Sequence, residues 1–170
     1  MLRGTIIPAL AMLGLFLSGC TGSTEFSVTG EFYGVSTTAN QQYSAIYTAD
    51  VSDTDHADKV KSLELVGIDA TLTRATSLPM TGSGAIWIGP SGSTSTTSAG
   101  VVQVGSWPTH TSSAVPDSIA VTLGSGSLSV IEDALKGNGI FVVFLTGTTT
   151  TSQNFDANVV LHVKLTYNII

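Results

Sequence analysis

Apolar and polar residues alternate over long stretches of this chain, and a period of two is typical of half-buried β-strands. The alternation is clear over 26–32 and 43–51, and it is cleanest over 159–169, where every odd-numbered residue is apolar. Shorter apolar runs, separated by clusters of Gly, Ser, Thr and Pro, predict further strands at 85–88, 102–104 and 119–123. The pattern therefore predicts seven or eight short strands.

Two stretches depart from simple alternation. Residues 140–145 are continuously apolar, which predicts a central strand that is covered on both faces. Between residues 60 and 74 the apolar positions change parity at Gly67. One extra residue at Gly67, as in a β-bulge, would keep both halves of this stretch on the same core face. A strand break at Gly67 is the alternative.

One short helix is predicted near 129–136. Ser129 and Glu132 have the spacing of a capping box, and Gly137 follows the last turn. Leu128, Ile131 and Leu135 would face the core. With the strands, this helix predicts an all-β fold: a two-sheet antiparallel β-sandwich of the immunoglobulin-like or jelly-roll-like kind. A single domain would span 26–170, a length that suits one hydrophobic core.

The composition fits such a domain and argues against two classes of partner. The 170 residues are 42% hydrophobic and only 11% charged, with 18 glycines and a formal net charge of −6. The chain has no basic cluster, which argues against nucleic acid as a partner and against electrostatic binding to anionic membranes. Cys20 is the only cysteine, so the chain can form no internal disulfide and packing must stabilise the fold.

The first residues fit a secretory signal. Arg3 supplies a positive charge, and the apolar run 6–17 has the length of a signal core but is too short to span a bilayer. The run ends in Leu17-Ser18-Gly19-Cys20, which resembles the lipobox of bacterial lipoproteins. The resemblance implies that residues 1–19 are a signal peptide cut off by signal peptidase II. It also implies that Cys20 carries a diacylglyceryl group and becomes the first residue of the mature protein.

The same resemblance predicts a location. The protein would be anchored by lipid in the bacterial cell envelope, with the membrane as its partner. In the family, an aspartate after the cysteine favours retention at the inner membrane; Thr21 stands there, which favours the outer membrane if the cell is Gram-negative. Residues 20–25 would form a tether that reaches less than about 20 Å, so the domain would lie against the lipid headgroups.

Four carboxylates lie close together in the sequence and are candidate metal ligands. A calcium ion takes six to eight oxygen ligands, and one loop carrying several aspartates can supply part of that shell. The alternative is that these residues cap turns and helix starts, as Asp commonly does. The candidates are Asp50, Asp53, Asp55 and Asp58.

Three aromatic residues are candidates for sugar binding, because exposed rings can stack on sugars. They are Trp107, Trp87 and Tyr33. Trp107 precedes Pro108 in a loop-like stretch and is the one expected to be most exposed. Packing in the core is the alternative, and it is the commoner role of aromatic residues in strands.

No catalytic residue is predicted. The chain lacks the nucleophile elbow, the zinc-protease helix motif and the phosphate-binding loops. Of its three histidines, His162 is expected to lie exposed on the polar face of the last strand. The sequence thus predicts a lipid-anchored envelope lipoprotein with a non-enzymatic structural or interaction role and no cofactor. The alternative is a β-sandwich module that binds carbohydrate or calcium; a protein or glycan partner remains open.

Overall fold

The computed structural model describes residues 20–38 and 40–169. The predicted signal peptide, 1–19, lies outside the described residues, and so do three of the four lipobox positions. Within the described ranges, the elements follow in the order β1 (Thr21–Ser36), β2 (Gln42–Asp50), β3 (Val60–Ala75), β4 (Met80–Pro90), β5 (Val102–Ser112), β6 (Asp117–Ile119), β7 (Thr122–Leu123), α1 (Ser129–Lys136), β8 (Ile140–Thr149) and β9 (Asn154–Asn168). A 3₁₀ turn, Ala57–Lys59, precedes β3.

The strands form two antiparallel sheets that face each other. The first sheet has the order β1-β9-β3-β6, and the second has the order β2-β8-β4-β5-β7. This architecture confirms the predicted two-sheet β-sandwich with one short helix. None of the helices in the part of the chain described by the structure is long and apolar enough to cross a membrane.

The core lies between the sheets and follows the period-two pattern. Along β9 every second residue is buried: Phe155, Ala157, Val159, Leu161, Val163 and Leu165. Strand β8 is buried on both faces, because Phe144 on its outer side is as fully buried as Phe141 on its inner side. Phe144 packs against Gly89, where an added Cβ would lie 3.3 Å from its ring. The prediction of a strand covered on both faces is therefore confirmed.

Strand β3 runs through Gly67 without a break. Leu65 pairs with Val163 and Gly67 pairs with His162, so one residue is skipped between them. This bulge returns Ile68 to the core face that the preceding leucines share. The β-bulge prediction is confirmed, and the strand break is excluded.

The helix α1 has the predicted bounds and packs at the end of the sandwich that also holds the 3₁₀ turn. Its buried residues are Val130, Ile131, Ala134 and Leu135. The predicted capping box is wrong, because Ser129 is already helical and Leu128 is the N-cap residue. Instead the Ser127 hydroxyl accepts a hydrogen bond from the Ser129 backbone N–H at 3.2 Å.

The predicted tether, 20–25, is also corrected. Strand β1 begins at Thr21, which pairs with Asn168, and Glu25 pairs with Lys164. Strand β9 is long enough to give these residues partners, so they join the sheet rather than form a free linker. A covalent group on Cys20 would be attached directly to the edge of the fold.

The two ends of the sandwich differ. We call the end that holds Cys20, Ile169 and α1 the Cys20 end. The opposite end, where 150–153 connects β8 to β9, is the Gln153 end. At the Cys20 end, the Ile169 backbone N–H donates to the Cys20 carbonyl oxygen at 2.9 Å. At the Gln153 end, the buried Gln153 side chain hydrogen-bonds Ser77 and Thr151 and holds neighbouring loops together.

Candidate functional site

Cys20 is exposed and forms no disulfide. It lies beside Ile169, whose side chain is 52% exposed despite being apolar. Next to them, the Tyr167 ring lies over Gly22, where an added Cβ would be 2.5 Å from the ring. The His56 ring stacks on Tyr167, with ring centroids 3.9 Å apart. The Cys20 end therefore holds an exposed cysteine, an exposed aliphatic side chain and a stacked aromatic pair, in which Tyr167 is partly buried against the core.

The candidate calcium residues are only partly brought together. Asp50, Asp53 and Asp55 line one open hollow beside 24–27 of β1, whereas Asp58 lies in the 3₁₀ turn and does not line it. Within 20–38 and 40–169, no three His, Cys, Asp or Glu side chains are grouped so that they could hold a metal ion.

Asp50 instead organises the turn that follows β2. Its carboxylate accepts a hydrogen bond from the Ser52 backbone N–H at 2.9 Å. This bond holds the pKa of Asp50 below its ordinary value, because it stabilises the ionised carboxylate. The geometry of Asp50 matches the turn-capping alternative.

The three candidate sugar-binding aromatics lie on separate surfaces. Trp107 belongs to β5 and is 8% exposed, so its expected exposure is wrong: β5 continues through Pro108 and turns Trp107 into the core. The Trp87 indole N–H donates to the Thr146 hydroxyl at 3.0 Å on the outer side of the second sheet. Tyr33 is 70% exposed on β1. The three rings therefore form no common stacking platform.

Tyr33 has a local partner. Its hydroxyl donates to the Glu31 carboxylate at 2.7 Å. This hydrogen bond to a neighbouring anion raises the pKa of Tyr33 above its ordinary value. The hydroxyl is therefore neutral at physiological pH and interacts within its own strand.

A small cavity lies between the two sheets. Its volume is about 30 Å³, enough for about two water molecules and too small for a sugar ring. Its apolar wall includes Tyr43, Met80, Trp107 and Phe155. The aromatic candidate that the sequence favoured thus forms part of a packed interior rather than a binding groove.

His110, at the wall of this cavity, connects the two sheets. Its Nε2 lies 2.8 Å from a carboxylate oxygen of Asp117, and the two residues belong to β5 and β6 in different sheets. Hydrogen bonds from Ser112 and His110 hold the pKa of Asp117 below its ordinary value. The contact between His110 and Asp117 therefore joins β5 of the second sheet to β6 of the first.

A second histidine cluster lies on the outer face of the first sheet. Ser27 Oγ is 2.9 Å from His162 Nδ1, and His162 Nε2 is 2.9 Å from Asp69 Oδ2. The three residues come from the neighbouring strands β1, β9 and β3. His162 lies on the polar face of β9, as expected, but the sequence did not identify its two partners. The sequence signal for these partners is that each falls at a strand position whose side chain points away from the core. Many other polar residues of the chain share that property.

Comparison of the chain with models of known protein families gives no match, and comparison with curated proteins gives none either.

Proposed function

We propose that this protein is a bacterial envelope lipoprotein that is anchored through acyl chains on Cys20 and has a structural or interaction role. One observation carries the proposal: the exposed thiol of Cys20 is located at one end of the sandwich, directly before the first strand. The lipobox resemblance of residues 17–20 supplies the chemistry of the anchor. An outer-membrane location follows from Thr21 if the cell is Gram-negative.

The surface around Cys20 suits contact with lipid headgroups. Ile169 exposes an aliphatic side chain there, and Tyr167 is an aromatic residue of the type enriched at membrane interfaces. Lys59 and Lys61 flank Val60, which pairs with Tyr167, and such side chains can extend their amines toward headgroups. Because β1 begins directly after Cys20, no flexible linker separates the acyl chains from the domain, and the Cys20 end would lie against the bilayer.

This orientation leaves the Gln153 end free. Two apolar side chains are exposed in its loops, Leu78 at 39% and Val115 at 36%. The Gln153 hydrogen bonds hold the neighbouring loops in place, so this end is a preorganised surface facing away from the membrane. A protein or glycan partner in the envelope would meet the domain there.

The anchor is tested by fractionation of cells that express the full chain and are fed labelled fatty acid. We expect the native protein to take up labelled fatty acid and to stay in the membrane fraction, where each buried methylene contributes roughly 0.8 kcal/mol to binding. The Cys20→Ser variant should take up none, because it lacks the sulfur atom that carries the diacylglyceryl group. The Thr21→Ser variant is the matched control and should stay with the membrane. A Cys20→Ser variant that takes up as much labelled fatty acid as the native protein would refute the anchor.

The orientation is tested separately with the acylated protein in vesicles that contain brominated lipids. A tryptophan introduced as Ile169→Trp should be strongly quenched, whereas Tyr33→Trp, near the opposite end of the first sheet, should not. The native protein gives the background from Trp87 and Trp107. Equal quenching at both positions would overturn the orientation and leave the anchor intact.

A further inference from the structure

We propose that Ser27 is a reactive serine that accepts an acyl group from activated esters, with His162 as its general base and Asp69 as the group that orients His162. The inference goes beyond the anchored structural role and does not depend on it. It rests on the arrangement of three side chains that are far apart in the sequence and adjacent in the first sheet.

The positions of the three residues follow from strand pairing. Ser27 and His162 are direct partners across β1 and β9. His162 faces Gly67 on the other side, and Asp69 follows two residues later on β3. Gly67 carries no side chain, so the imidazole lies over the backbone of β3 at this position. An added Cβ at Gly67 would lie 3.5 Å from the ring, which is ordinary contact distance.

The hydrogen bond to Asp69 selects the tautomer of the neutral imidazole. An ionised carboxylate can only accept a hydrogen bond, so His162 Nε2 carries the proton that it donates to Asp69. In the neutral ring Nδ1 is then an acceptor, and the Ser27 hydroxyl donates to it. This is the order of roles in serine hydrolases: a hydroxyl, a base that takes its proton, and a carboxylate that holds the base. Here Nδ1 faces the serine and Nε2 faces the carboxylate, which is the reverse of the assignment in serine hydrolases.

The reaction balances with the groups present. Ser27 Oγ attacks the ester carbonyl carbon while its proton passes to His162 Nδ1, and the imidazolium is stabilised by Asp69. The bond between the carbonyl carbon and the leaving oxygen breaks, and the leaving alcohol takes the proton from Nδ1. The products are an ester on Ser27 and a free alcohol. Water can release the acyl group by the same proton transfers in reverse order.

The openness of the site sets its substrate class. The Asp69 side chain is 74% exposed and that of His162 is 37% exposed, and the cluster lies on a sheet face rather than in a cleft. Ser27 borders the open acidic hollow beside β1, but neither His162 nor Asp69 lines it, so no cleft encloses the three side chains to select a large substrate. The site therefore fits small esters with good leaving groups, and its rate gain comes from the base rather than from tight binding.

The test is acetylation of the folded full chain by p-nitrophenyl acetate, with the modified serines located by peptide mass spectrometry. Ser23 is the internal control, because it is exposed on the same face of the same strand and pairs with Thr166 instead of a histidine. General-base catalysis typically contributes about 10²–10⁴ in rate. For this open site we expect Ser27 to be acetylated about a hundredfold faster than Ser23.

Three variants test the roles of the partners. His162→Gln should reduce acetylation of Ser27 to the level of Ser23, and added imidazole should restore part of it to a His162→Ala variant. Asp69→Asn should lower the rate of Ser27 several-fold with the fold intact by circular dichroism. Equal acetylation of Ser27 and Ser23 in the native protein would overturn the proposal. So would an unchanged rate in folded His162→Gln.

Discussion

The burial of Trp107 leads to a quantitative prediction for Trp107→Ala. A tryptophan side chain buries roughly 200 Å², and only 8% of Trp107 is exposed, so about 180 Å² is removed from water at about 25 cal/mol per Å². The product is about 4.5 kcal/mol, which is an upper bound because unfolded chains already bury part of this surface. We expect Trp107→Ala to lower the free energy of unfolding by about 3–4 kcal/mol.

The assay is urea unfolding followed by circular dichroism, with thermal unfolding in parallel. For a domain of this size the loss corresponds to roughly 10–15 °C in Tm. Tyr33→Ala is the matched control: that ring is 70% exposed, and the change should cost less than about 0.5 kcal/mol. If Trp107→Ala cost less than about 1 kcal/mol, the ring would not be part of the core, and sugar binding by an exposed Trp107 would return as the better interpretation.

Two further predictions concern pH. Burial raises the pKa of Tyr43 above its value in the unfolded chain. The neutral Tyr43 hydroxyl therefore stabilises the fold fully below the unfolded-state pKa of about 10, and this contribution is lost as pH rises above that value. Tyr43→Phe loses the hydrogen bond to the Ser83 carbonyl, which should lower the free energy of unfolding by about 1 kcal/mol at pH 7. The difference in urea midpoint between the native protein and this variant should shrink above pH 10. A difference that stays constant with pH would contradict the burial argument. The pKa of Asp117 is lowered by Ser112 and His110, so its contribution is present above the unfolded value of about 4 and is lost as pH falls through the lower folded value. The Asp117→Asn variant should therefore be less stable than the native protein at pH 7, and it should lose less stability between pH 4 and pH 2. Parallel profiles of urea midpoint against pH for the two proteins would show that the contact between His110 and Asp117 is not formed.

The sequence pattern predicted the features that depend on neighbouring residues. Alternation identified the strands, the parity change identified the bulge at Gly67, and the apolar positions identified the range of α1. In each case the residues that carry the signal lie within a few positions of one another. The alternation over 119–123 was less informative, because the chain crosses there from β6 in the first sheet to β7 in the second.

The features that the sequence did not predict depend on pairing between distant residues. The segment 21–25 belongs to a strand because it pairs with the last five residues of β9, and no local pattern shows which segment pairs with that end of β9. Trp107 is buried because β5 continues through Pro108, where a loop was expected. Ser27 and His162 are 135 positions apart, and only the register of β1 against β9 makes them partners.

The measurement that tests the account most directly is the mass of the first peptide of the protein extracted from membranes. The account predicts that this peptide begins at Cys20 and carries a diacylglyceryl group on the sulfur atom. A membrane-extracted chain that retains residues 1–19, or begins at Cys20 with an unmodified thiol, would contradict it.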